Sequence, residues 1–123
     1  MVIVSSQWKP LESDEPIGVV ALSGPVAPAK LEGGLAVLRS WGNPVVEAGN
    51  LRAAEAYLAG GDDERLAGLA EVRRAGARVV IAARGGYGAT RILPSLPLRR
   101  LAEEGLCLVG YSDLTALLNA VAG

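Results

Sequence analysis

Val79-Val80-Ile81-Ala82-Ala83-Arg84-Gly85-Gly86-Tyr87-Gly88 decides how the rest of the chain reads, because an unbroken apolar run passes straight into a glycine-rich turn. Consecutive apolar residues without in-out alternation describe a strand covered on both faces, as in parallel sheets. Two further runs repeat the pattern. Ile17 to Leu22 ends in Ser23-Gly24-Pro25, and Leu106 to Val109 ends in Gly110-Tyr111-Ser112-Asp113. Val45-Val46-Glu47, after Gly42-Asn43-Pro44, adds a shorter strand.

Helix-period segments lie between these runs. Leu31, Leu35 and Leu38 recur at helical spacing, with Trp41 continuing the stripe and Gly42 as its stop. Asp62 is placed to cap a second helix whose inner face is Leu66, Leu69, Ala70 and Val72, closed by Gly76. Shorter helical pieces are expected at 89–93, limited by Pro94, at 98–104, and at 114–121. Strands and helices alternate, so the expected fold is α/β: an open, mostly parallel sheet with helices on both faces, a flavodoxin-like three-layer sandwich. Residues 1–15, polar and acidic around Pro10, read as a flexible N-terminal arm, which leaves 16–123 as one domain.

Composition narrows the function classes. Twelve basic and 13 acidic residues give a net charge of −1, which makes no electrostatic case for nucleic acid. Arg73, Arg74, Arg99 and Arg100 sit near Glu71, Glu103 and Glu104, the pattern of a solvated helix face. The single Cys107 lies in an apolar strand and reads as a buried structural thiol. No apolar run approaches membrane-spanning length, and the N-terminus lacks the pattern of a signal peptide. A cytoplasmic protein with no membrane partner is expected.

In open parallel sheets, ligands bind beyond the carboxyl ends of the strands. Three such ends stand out: Ser23-Gly24-Pro25, Arg84 to Gly88, and Tyr111-Ser112-Asp113. They converge on one pocket if their strands are neighbours. Ser112 reads either as a nucleophile on a tight strand-to-helix turn or as a helix N-cap. The G-x-S-x-G pattern is incomplete, with Leu114 at its second glycine position. The Gly85-Gly86 loop can supply an oxyanion-hole N–H, cradle a phosphate, or simply turn. Arg91 stands where a dinucleotide fingerprint needs its third glycine, which counts against phosphate. Arg84 suits either a carboxylate-bearing ligand or an ion pair, and Tyr87 suits a pocket wall or packing. Asp113 can orient the turn or favour a helix N-terminus. The chain has no histidine, so nothing in it activates a serine in the usual way.

Taken together, Gly18 to Pro25, Tyr57-Leu58-Ala59-Gly60 with Asp62 to Arg65, Ala83 to Ala89 with Arg91 and Leu93, and Val109 to Ala116 resemble the LD-carboxypeptidases. That family comprises muramoyl-tetrapeptide carboxypeptidases and microcin-immunity peptidases. The resemblance implies a serine peptidase with a Ser-His-Glu triad, its nucleophile falling on Ser112. The oxyanion hole would fall on the N–H groups of Gly86 and Asp113, and substrate contacts on Arg84, Gly85, Tyr87 and Ser23. It implies release of terminal D-alanine from cytoplasmic cell-wall tetrapeptides during peptidoglycan recycling, with no metal or organic cofactor, by a protein that is a homodimer at full length. The family's glutamate and histidine lie in a C-terminal domain absent from this sequence. The expected reading is therefore a nucleophile-bearing N-terminal domain, inactive alone, with an exposed apolar surface where the missing domain docks. The alternative is a non-catalytic, doubly wound module that binds a small anion or peptide.

Overall fold

The computed structural model describes residues 2–4 and 9–122. Five strands form one sheet: β1 (Val2–Val4), β2 (Ile17–Val20), β3 (Val45–Glu47), β4 (Val79–Ala82) and β5 (Cys107–Gly110). The order is β1-β5-β4-β2-β3, with β2, β3, β4 and β5 mutually parallel and β1 antiparallel at the edge. The helices are α1 (Pro28–Ser40), α2 (Asp62–Arg74), α3 (Ala89–Ile92), α4 (Leu98–Glu103) and α5 (Thr115–Ala122). The expected open, mostly parallel α/β sandwich is present, and β2 and β4 flank the point where the order of connections reverses.

Local chemistry accounts for the elements. Pro28 opens α1, and Gly42 at φ +88° follows its end in a conformation that favours glycine. In α2, Asp62, Asp63 and Glu64 occupy the first turn and Arg73 and Arg74 the last, matching the helix dipole at both ends. Asp62 is not the cap. That position is Gly61, whose N–H donates to Glu64 Oε1 at 3.3 Å. Trp41 lies just past the end of α1 and is exposed, so the apolar stripe stops at Leu38. Arg73 reaches Glu104 with two short bonds, tying α2 to the segment after α4, and Arg99 pairs with Glu103.

The larger half of the core lies under α2, α4 and α5. There Val20, Leu22, Val80 and Leu108 of the sheet and its extension meet Leu69, Val72, Leu101, Leu117 and Leu118, all essentially buried. Each such side chain contributes roughly 1.5–3 kcal/mol. Gly18 is required on this face, because a Cβ there would stand 2.9 Å from Val72 Cβ. On the other face Val19 and Ala21 pack against Leu31 and Leu35 of α1. Burial in β4 alternates, with Val80 and Ala82 buried but Val79 and Ile81 only half-buried. The reason is that α1 covers the β2 side alone. A groove of about 590 Å³ opens beside it, floored by Val19, Ile81 and Ala83, walled by Leu31, Leu35 and Leu38, with Arg84 and Tyr111 also lining it.

The stretch read as a flexible arm is more structured than its polarity suggests. Val2–Val4 adds to the sheet against β5. Glu15 accepts two bonds from Arg78, at 3.1 Å each, and one from the Glu12 N–H at 2.7 Å. These bonds hold the Glu15 carboxyl down at about 2, with Arg78 the main cause. A depressed carboxyl stabilises the fold above its unfolded value near 4.5 and loses that contribution as pH falls toward 2. Urea midpoints should therefore fall between those two pH values, and Glu15→Gln should flatten that part of the profile. An unchanged profile would show that the Glu15–Arg78 tie is not formed in solution.

Candidate active site

The carboxyl ends of β2, β4 and β5 lie side by side, so the three loops singled out in the sequence meet at one rim. Ser112 opens a 3₁₀ turn, Ser112–Leu114, and its φ is +57°. This left-handed conformation costs an L-residue roughly 1–2 kcal/mol and turns up at functional sites. The cap position of the turn belongs to Tyr111, so Ser112 is not the helix cap that its sequence position allows. Its side chain is exposed at the rim.

Gly85 passes directly beneath the serine. A Cβ at Gly85 would lie 2.9 Å from Ser112 Cβ and 3.3 Å from its Oγ, which limits this position to glycine. Gly86 follows at φ +108°, and a Cβ there would stand 3.3 Å from Gly24 Cα. Gly24 N–H donates to the Gly85 carbonyl at 3.0 Å, so the β2 and β4 loops are bonded backbone to backbone. These contacts explain why glycines crowd here.

Asp113 orients the turn. Its Oδ2 accepts the Ser23 hydroxyl at 2.6 Å and the Ala89 N–H at 2.9 Å, one bond to each neighbouring loop. Ser23 is consequently a supporting residue and not a substrate contact, since it is fully buried and its hydroxyl is engaged. Arg84 holds loop backbone at the rim. It is exposed, and Nη1 donates to the Pro25 carbonyl at 2.6 Å, which staples two loops. Tyr87 pairs with Tyr57 in a tilted arrangement, ring centroids 5.4 Å apart, and both rings remain about half exposed. Cys107 is buried, and burial pushes its thiol up, away from reactivity.

Two residues carry more of the site than hydropathy indicated. Arg65 is fully buried, its Nη1 donating to Leu22 O at 2.9 Å and Gly88 O at 2.7 Å, its Nε to Gly60 O at 3.2 Å, and its Nη2 to Asp62. Asn50 is also buried, donating to Ala21 O and Ala59 O at 2.8 Å each. Both hold the ends of strands and loops that the serine turn leans on.

At this rim of a mostly parallel α/β sheet, a strained, exposed serine stands against the Gly85-Gly86 loop, which is itself bonded to the Ser23-Gly24-Pro25 loop. The profile of the LD-carboxypeptidase N-terminal domain matches residues 17–123, and the chain belongs to that family. It is 35% identical over 122 residues to the "Probable murein peptide carboxypeptidase" of Bacillus subtilis, covering 97% of this chain and 38% of that protein. Among solved structures it resembles muramoyltetrapeptide carboxypeptidase from Oxalobacter formigenes, at 32% identity and TM-score 0.75, over 86% of this chain and 36% of that one. It also resembles the microcin C7 self-immunity protein MccF, at 26% identity and TM-score 0.79, over 89% and 34% of the respective chains. The chain thus spans little more than a third of the length of these relatives.

Proposed function

We propose that this chain supplies the nucleophile and oxyanion hole of a serine LD-carboxypeptidase, which hydrolyses the L-to-D peptide bond before the terminal D-alanine of cell-wall tetrapeptides. The observation that carries the reading is Ser112 itself: exposed at the carboxyl end of β5, held at φ +57° and backed by Gly85. Family membership and the name of the Bacillus subtilis relative support it.

In this reading Ser112 Oγ attacks the carbonyl carbon and gives its proton to a histidine outside this chain, which contains none. Charge builds on the carbonyl oxygen, and the N–H groups of Gly86 and Asp113 receive it. The bond to D-alanine then breaks as that histidine returns the proton to the leaving amine. Water hydrolyses the acyl-serine to restore the hydroxyl. Arg84 and Tyr87, exposed on the same loop, are assigned to the peptide's terminal carboxylate and flank. The rest of a family-length protein seats on the apolar groove beside α1 and brings the general base, so this chain alone is inactive. By resemblance to the family, we assign the whole protein to the cytoplasm, to peptidoglycan recycling and to a homodimer.

The test compares this chain with a family-length protein that carries it, each offered an L-to-D tetrapeptide and its all-L isomer. Free alanine should form only with the longer protein and only from the first peptide. Release from neither peptide by the longer protein would refute the assignment.

A further inference from the structure

Two charged side chains of opposite sign grip one peptide group. The carbonyl oxygen between Gly88 and Ala89 accepts from Arg65 Nη1 at 2.7 Å, and the N–H of that same peptide donates to Asp113 Oδ2 at 2.9 Å. Arg65 comes from α2 and Asp113 from the serine turn, so the peptide links two elements that are distant in sequence. A cation sits at the oxygen end of the peptide dipole and an anion at its hydrogen end. Both bonds are charge-assisted, the stronger class, and Arg65 makes its own in a fully buried setting.

The same pair brackets the end of β2. Arg65 Nη1 also donates to Leu22 O at 2.9 Å, and Asp113 Oδ2 accepts from Ser23 Oγ at 2.6 Å. Leu22 and Ser23 are adjacent, as are Gly88 and Ala89, so each loop is held at two consecutive residues by the same two charges.

The loop needs such a restraint. Gly86 and Gly88 stand at φ +108° and +130°, where glycine has broad freedom and local backbone preference fixes little. Left to themselves, the residues carrying the Gly86 N–H would drift relative to Ser112. A peptide pinned at both poles, two residues further on, removes that freedom. Arg65 also enforces glycine at 88, because a Cβ there would stand 2.7 Å from its Nη1.

We propose that Arg65 and Asp113 are positioning residues that act as one clamp on the Gly88–Ala89 peptide and hold the oxyanion loop in register with Ser112. The purpose of the clamp rests on the functional reading above, whereas its existence is measurable without catalysis. Nuclear magnetic resonance of this chain reads it at the Ala89 amide. Asp113→Ala should speed Ala89 exchange by about tenfold or more and shift the Gly86 amide, while the Val80 and Leu108 amides keep their protection. Asp113→Asn, whose side-chain oxygen can accept the same bond, should restore most of the protection. Arg65→Met should shift the Ala89 amide signal as well, although Arg65 never touches that N–H, because it acts through the carbonyl of the same peptide. Arg65→Lys serves where methionine does not fold. An Ala89 amide unmoved by Asp113→Ala, or by a folded Arg65 variant, overturns the clamp. D-alanine release that survives Ser112→Ala in a family-length protein sinks the functional reading and leaves the clamp standing.

Discussion

Ser112→Ala, made in a family-length protein that carries this chain, is expected to lower D-alanine release by about 10⁴-fold or more. The two oxygen-bearing side chains bonded at the turn, Asp113 and Ser23, cannot replace the lost oxygen. Asp113 is occupied by Ser23 and Ala89, and Ser23 is buried. Stability should change little, because alanine at φ +57° carries the same backbone strain as serine and the side chain is exposed. Ser112→Gly separates strain from chemistry. It should be equally inactive, yet stabilise the fold by about 1 kcal/mol by relieving the left-handed conformation. Denaturation midpoints and a D-alanine assay on the same preparations check both statements. Substantial release by the alanine variant would remove Ser112 from the mechanism.

Arg65→Ala should destabilise the chain by about 3–5 kcal/mol, the range seen when a buried charged partner is removed. The loss of Asp62 as an ion-pair partner is the smaller part. Asp62 is partly exposed and keeps Arg91, bonded at 3.0 and 3.1 Å. The carbonyls dominate. Leu22 O and Gly60 O lose the Arg65 bonds, while Gly88 O keeps only the Arg91 N–H at 3.1 Å. An unsatisfied buried acceptor costs roughly 1–3 kcal/mol, and the void left by a long side chain adds to that. Arg65→Lys keeps length and charge but not the planar fork, and should recover part of the loss. Urea titration reads the difference, and a cost below 1 kcal/mol would show that the buried guanidinium is not the strut described above.

Much of this architecture was legible in the sequence because its strands are continuous apolar runs ending in glycine. Ile17 to Val20, Val79 to Ala82 and Cys107 to Gly110 all lie where hydropathy put them, within a residue or two. The convergence of three loops followed from the sheet type. What hydropathy could not read was polar burial. Arg65 scores as surface, yet it is wholly buried because three carbonyls and Asp62 satisfy its donors. The placement of Arg65 and Gly68 on the inner face of α2 was the available signal, since Arg65 lies one helical turn before Leu69 and Gly68 one turn before Val72. Ser23 was misjudged for a related reason: a serine in a strand-end turn looks accessible until its partner ninety residues away is known. Val2 to Val4 was too short to announce an edge strand, and only pairing with β5 makes it one.

The bond from Gly24 to Gly85, together with the one from Ala83 N–H to Val20 O at 2.8 Å, continues the β2–β4 ladder past the last residues of both strands. Open sheets of this kind usually part at the reversal point and leave a slot there. Here the slot is laced shut, and the floor above it is glycine backbone. A ligand at this rim therefore meets a joined backbone surface and not a cleft between β2 and β4.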